Sequence, residues 1–276
     1  ERWVVEFEFW GCRGSIAAAG PRTSRYGGNT TCLEVNTRDG TLILDAGTGI
    51  RALGSKLTAS GPRMIRVLFT HVHWDHIQGL PMFAPIFDPS FEIELISCAD
   101  IIGTGVLEET LRSQMQAPNF PVPWDYCPST RRFRELGGGE ALELPNTKIE
   151  YCTLDHPNGI VAYRVESGGQ SLVFATDVEH PAEGADPRLV AFARGADALI
   201  YDAQYTTEEY AERVGFGHST WEVGIETANK AGVDRLFLTH HDPGHDDLFL
   251  DEIADRAAAA RAGTVLAREG LRVALG

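Results

Sequence analysis

Three histidines and an aspartate fall within six consecutive residues, His71-Val72-His73-Trp74-Asp75-His76. Imidazole and carboxylate groups crowded in this way are costly to bury unless a cation holds them, so the fold must turn them toward a shared positive charge. The run follows Arg66 to Phe69, a short apolar segment that reads as a strand, and so it occupies a strand-end loop. Alternation along extended chain puts His71 and His73 on one side, while Asp75 and His76 come after a turn and can face a second ion. The competing reading, solvated histidines at a polar helix start, leaves their density unexplained.

Around this run the chain alternates between strand and helix patterns. Val4, Val5, Phe7 and Phe9 interleave with Glu6 and Glu8 as an edge strand would, leading into a Gly-rich turn at Gly11 to Ser15. Thr31 to Val35 and Thr41 to Leu44, joined by Arg38-Asp39-Gly40, predict a hairpin. Asp45-Ala46-Gly47-Thr48-Gly49 then turns into a helix with Ile50, Leu53 and Leu57 on one face. Phe91 to Ser97 predicts a strand and Gly105 to Gln114 a helix. Further strands are expected at Ile149 to Leu154, Val161 to Glu166, Ser171 to Ala175, Ala198 to Tyr201 and Arg235 to Leu238, with helices around Pro187 to Arg194, Thr220 to Ala231 and Asp246 to Arg261. Strands in both halves, with helices between, suggest two facing sheets covered outside by helices, in one domain over residues 1–276. Ala117 to Arg134, rich in Pro, has no clear assignment.

Composition narrows the class. Hydrophobic residues make up 43% and charged residues 23%, as in a globular protein. The formal net charge of −15 opposes binding to a long polyanion, so no large nucleic acid partner is expected, whereas a small anion at bound cations remains compatible. Five scattered cysteines without a CxxC pair suggest reduced thiols and a cytoplasmic protein. No apolar run reaches the roughly 20 residues of a membrane span, and the N-terminus lacks the order of a signal peptide; no membrane partner is expected.

The His71, His73, Asp75, His76 pattern resembles the HxHxDH motif of the metallo-β-lactamase superfamily. Downstream, Leu154-Asp155-His156, Phe174-Ala175-Thr176-Asp177 and Phe237-Leu238-Thr239-His240 supply, in order, a lone His, an Asp and a last His at strand ends. The resemblance implies a four-layer αββα sandwich and two divalent metal ions. One ion would be held by His71, His73 and His156, the other by Asp75, His76 and His240, with Asp177 and a metal-bridged hydroxide between them. Asp75 would thereby also serve catalysis. Zinc suits such mixed ligation, with Mn2+ or Fe2+ as alternatives. His241 is the rival to His240 for the last position, and His180 and His245 read as surface residues.

Two segments resemble the ribonuclease Z and cyclic-phosphate phosphodiesterase branch: Gly217-His218-Ser219-Thr220 its HST motif, and Tyr201-Asp202-Ala203-Gln204 its HEAT-like motif. The resemblance implies His218 as general acid and Asp202 as its partner, because an alkoxide leaves a phosphodiester readily only when protonated. His218 read instead as a residue before the helix cap Ser219 is the plainer alternative. Gly11-Cys12-Arg13-Gly14-Ser15 and Arg25-Tyr26-Gly27-Gly28-Asn29-Thr30 resemble a phosphodiesterase-like bacterial subgroup and make Ser15 and Asn29 candidate substrate contacts. Nothing resembles the basic arm with which ribonuclease Z grips transfer RNA; Phe120 to Tyr126 could form a lid stacking on a base, with Arg131, Arg132 or Arg134 near the phosphate.

The leading expectation is therefore hydrolysis of a small phosphodiester, such as a cyclic nucleotide. A lactonase or thioester hydrolase of the same fold, and a catalytically silent binding or sensor protein, are the alternatives. Relatives in this branch often dimerise, which makes a homodimer an expectation too.

Overall fold

The computed structural model of the chain describes residues 4–276. The first half supplies β1 (Glu6–Gly11), β2 (Cys32–Thr37), β3 (Gly40–Leu44), β4 (Met64–Leu68), β5 (Glu92–Cys98) and β6 (Thr130–Leu136). The second supplies β7 (Leu142–Glu143), β8 (Thr147–Leu154), β9 (Ile160–Ser167), β10 (Gln170–Ala175), β11 (Ala198–Asp202), β12 (Arg235–Thr239) and β13 (Thr264–Leu266), and β14 (Arg272–Ala274) follows. They form two seven-stranded sheets, in the orders β14-β1-β2-β3-β4-β5-β6 and β13-β12-β11-β10-β9-β8-β7. Across the first sheet, starting from β14, three antiparallel pairings give way to three parallel ones. The second sheet, starting from β7, repeats that sequence.

Three apolar clusters separate four layers. Phe7, Phe9, Leu33, Leu44, Tyr163, Phe174 and Phe237 lie between the sheets, the alternation of β1 sending both its phenylalanines inward. The rings of Phe7 and Phe237 meet edge to face at 5.2 Å, joining one sheet to the other. Outside the first sheet, α1 (Ile50–Ala59) buries Ile50, Leu53 and Leu57 as its helical spacing predicts; α2 (Trp74–Ile77), α3 (Ala99–Ile102) and α4 (Val106–Gln114) follow it in the chain. Outside the second lie α5 (Pro187–Phe192), α7 (Trp221–Ala231) and α8 (Asp247–Ala260), with the short α6 (Thr207–Tyr210) between. The layers run helix, sheet, sheet, helix, the αββα sandwich that the sequence led one to expect.

Two expectations are corrected here. β1 is not an edge strand, because β14 returns to pair with it from the far end of the chain, Phe7 opposite Val273. Nor do the aromatics of 120–126 all face outward. Trp124 packs into the cluster on the outer side of the first sheet, and Arg131 lies over its ring at 4.7 Å while bonding the carbonyls of Trp124 and Ser129. The segment's end is β6, whose Arg132 and Arg134 lie near carboxylates of β5. Arg131 is thereby held in the packing of this sheet, whereas Arg132 and Arg134 stay exposed beside the β5 carboxylates. Tyr126 alone of those aromatics is strongly exposed.

Candidate metal centre

The parallel strands deliver the site. β10, β11 and β12 run side by side, with Ala175 opposite Tyr201 and Tyr201 opposite Leu238, so Asp177, Asp202 and His240 emerge together at their carboxyl ends. In the other sheet β3 and β4 pair in parallel, bringing Asp45 beside the segment that enters the histidine run. His73 is extended, and α2 begins immediately after it, which turns Asp75 and His76 away from His73.

His71, His73 and His156 converge with ligand atoms within 4.8 Å of one another, and so do Asp75, His76, Asp177 and His240. His76 Nε2 stands 3.2 Å from both Asp75 Oδ2 and Asp177 Oδ1; His240 Nε2 is 3.1 Å from Asp177 Oδ1. Asp177 Oδ2 faces the other group, 3.8 Å from His71 Nε2 and 4.0 Å from His156 Nε2. One carboxylate thus lies between the two triads. His241 is buried but turned elsewhere, its Nε2 on the carbonyl of Ala267 at 2.8 Å.

The donor chemistry fits cations. Each of four imidazoles has its Nδ1 engaged: His76 on Asp45 Oδ2 at 2.8 Å, His240 on Gln204 Oε1 at 2.8 Å, His156 on the Gly217 carbonyl at 2.7 Å and His71 on Thr70 Oγ1 at 3.1 Å. These partners fix the proton on Nδ1 and leave Nε2 to ligate. The Nε2 atoms of His71, His76 and His240 are buried without a hydrogen-bond partner, an arrangement that a bound cation explains. His73 Nδ1 instead meets His156 Nε2 at 3.0 Å, a hydrogen bond that a cation held by both would replace.

Electrostatics agree. Burial pushes the Asp177 carboxyl up, but the imidazoles of His240 and His76 outweigh it and hold the group well below the usual carboxylate range. Burial likewise pushes His76 down, and Asp177, Asp75 and Asp45 together raise it well above its ordinary value. A cation held by these groups would relieve the same carboxylates that raise His76.

Beside the triads, His218 Nδ1 meets Asp202 Oδ2 at 2.9 Å. Its ring stacks on His240 at 4.9 Å, and a ring nitrogen lies within 4.8 Å of ligand atoms of His156 and Asp177. Burial lowers its pKa, yet Asp202 more than offsets this and pushes it up to about 9. Ser219 has its own task, joining Tyr201 and His180 at 2.8 Å each.

Other expectations change. Ser15 is exposed at the rim and donates its backbone N–H to Asp75 Oδ2 at 2.9 Å. The side chain and backbone of Asn29 both donate to Glu269, at 2.9 and 2.7 Å. His245 is buried against Glu209 and His180 is half-buried, so neither is a surface residue. Sequence reading missed Asp45 and Gln204 as partners of candidate ligand histidines, and Glu179, which accepts from the N–H of Gly217 at 2.8 Å and so steadies the carbonyl behind His156. Asp45 directly follows β3, but Gln204 and Glu179 lie two and four residues beyond β11 and β10, where no local pattern marks them.

The β-lactamase superfamily domain matches residues 41–241. The chain belongs to the metallo-β-lactamase superfamily. It is a metal-dependent hydrolase. Ribonuclease Z of Haloarcula marismortui is 23% identical to it over 97% of this chain and 96% of the relative. Among solved structures, the metallo-β-lactamase fold protein YhfI of Bacillus subtilis superposes with a TM-score of 0.71, at 19% identity and with 98% and 99% of the two chains covered. A diphosphatase of the PhnP family gives 0.70, at 18% identity with 99% and 97% covered. A ribonuclease among the relatives leaves the charge argument against large nucleic acids without support. No helix of the described residues is long and apolar enough to cross a membrane.

Proposed function

We propose that the chain hydrolyses phosphodiesters, most favourably small cyclic ones, at a two-ion centre, with His218 as general acid. The observation carrying this is the His218–Asp202 pair set against both triads. His71, His73 and His156 would hold one ion, Asp75, His76 and His240 the other, and Asp177 both. Zinc suits these donors, with manganese or iron as alternatives. When bound, such ions supply Lewis acidity toward water and toward the phosphoryl oxygens. The protein's own part is protonic. Asp202 keeps the Nδ1 proton of His218, so the imidazolium can release its other proton to a departing alkoxide and remain in one neutral tautomer. Asp202, fully buried, also orients the ring. Ligands drawn from both halves of the chain support reading residues 1–276 as one catalytic domain.

The name of the ribonuclease Z relative supports a phosphodiester linkage. His218→Ala should lower turnover of 2′,3′-cyclic nucleotides by about 10²- to 10⁴-fold, and that of bis(p-nitrophenyl) phosphate less, since nitrophenolate leaves without a proton. Equal losses on both would remove His218 from leaving-group protonation. Retained lactone or thioester turnover in the variant, with no phosphodiester turnover in the parent, would favour the ester-hydrolase reading. Assaying a transfer RNA precursor alongside decides substrate size.

A further inference from the structure

We infer that Gln204 is a positioning residue for the second metal subsite, holding His240 directly and Asp75 through Ser15. The inference rests on the two-ion reading above. Gln204 is buried two residues beyond the end of β11. Its Oε1 accepts from His240 Nδ1 at 2.8 Å, while its Nε2 donates to Tyr205 OH at 3.1 Å and to Ser15 Oγ at 3.4 Å. Ser15 passes the constraint on, because its backbone N–H donates to Asp75 Oδ2 at 2.9 Å. One carboxamide therefore ties together two side chains that face the same subsite.

The surroundings explain why an amide serves here. The amide accepts from the imidazole N–H and donates to the two hydroxyl oxygens without adding charge, whereas a carboxylate would only accept. Asp202 Oδ2 already lies 3.9 Å from His240 Nδ1, so a carboxylate at 204 would set like charges together behind one ligand. The backbone is arranged around the pair as well. A Cβ on Gly14 would come within 2.6 Å of Gln204 Oε1, so the loop packs directly on this contact. Ser15 and His240 have φ of 61° and 62°, left-handed conformations that the packing must hold.

Zinc bound per chain is the readout, measured by atomic emission after dialysis and by titration against a chromophoric chelator. The parent chain should take up two ions. Gln204→Met, similar in length but without the hydrogen bonds, should keep one ion and bind the second about 10- to 100-fold more weakly. Gln204→Asn, which keeps the amide but falls a methylene short, should behave likewise and guards against a folding defect peculiar to Met. Gln204→Glu keeps the acceptor for His240 Nδ1 and should hold the second ion more tightly than either. Thermal melting of the metal-free forms separates a general loss of stability from a loss confined to one ion. Two tight ions in both Gln204→Met and Gln204→Asn would overturn the assignment, as would a Gln204→Glu chain no better than they are. A parent chain that takes up one ion overturns the two-ion reading itself, a failure visible before any variant is compared.

Discussion

At position 14 the room for a side chain is taken by His240 and Gln204 of the candidate metal centre. A Cβ there would overlap the His240 imidazole and crowd Gln204 Oε1, so the glycine is required by close approach rather than by its own backbone angles. Gly14→Ala should therefore displace His240 and lower phosphodiester turnover on the order of a hundredfold, with the fold retained, because small misplacements at a reacting centre are that costly. Steady-state kinetics beside circular dichroism checks this, and unchanged turnover would contradict the packing. Asp45 shows the same economy at His76: buried, with φ of 62°, it accepts from the Thr70 N–H and hydroxyl and from His76 Nδ1. None of these contacts could be read from the residue types alone, since an Asp or Gly after a strand is first of all a turn former.

At the scale of elements, the loop leading to His218 is anchored by α6. Thr206 Oγ1 accepts from the Glu209 N–H and Glu209 returns the bond to the Thr206 N–H at 2.8 Å, a capping box that also accepts from His245 Nε2. Glu209→Ala should cost about 1 kcal/mol at neutral pH. Burial raises the Glu209 carboxyl, but the Thr206 backbone and His245 outweigh it and hold its pKa below the ordinary value. A depressed carboxylate stabilises the fold above its unfolded pKa of about 4.3 and loses that contribution as pH falls through the folded value. Denaturant unfolding at several pH values should show the gap between parent and variant closing on the acid side; a gap that widens there would contradict the assignment. The helical spacing of Ile50, Leu53 and Leu57 made α1 legible in advance, whereas β6 was hidden by the Pro-rich approach and β14 by its three-residue length.

Over the whole molecule the centre spans the junction of the two sheets. His71, His73, Asp75 and His76 follow β4 of the first, while His156, Asp177 and His240 follow β8, β10 and β12 of the second. Tyr163 of β9 adds a bond to the Phe69 carbonyl at 2.8 Å, joining the sheets near the same edge. Ions bound there would cross-link the halves and relieve buried carboxylates, so a chelator should lower the melting temperature. At metal a thousandfold above Kd the difference corresponds to roughly 4 kcal/mol. Scanning calorimetry with and without chelator tests this, and equal transitions would separate the centre from the stability of the fold.

From sequence alone, the crowding within His71 to His76 demanded a cation, the alternating strand and helix patterns implied two covered sheets, and the order of the later strand-end residues identified the superfamily and the candidate ligands. These are local signals, carried within a few residues by spacing and chemistry. What only the tertiary structure decided is which groups stand behind the candidate ligands and contacts: Asp45 at His76, Gln204 at His240, Gly217 at His156, and Glu269 at Asn29. Such pairs join residues remote in the chain, as Ser15 and Gln204 do. Their meeting depends on how parallel strands align their carboxyl ends across two sheets, a geometry that no short stretch of sequence encodes.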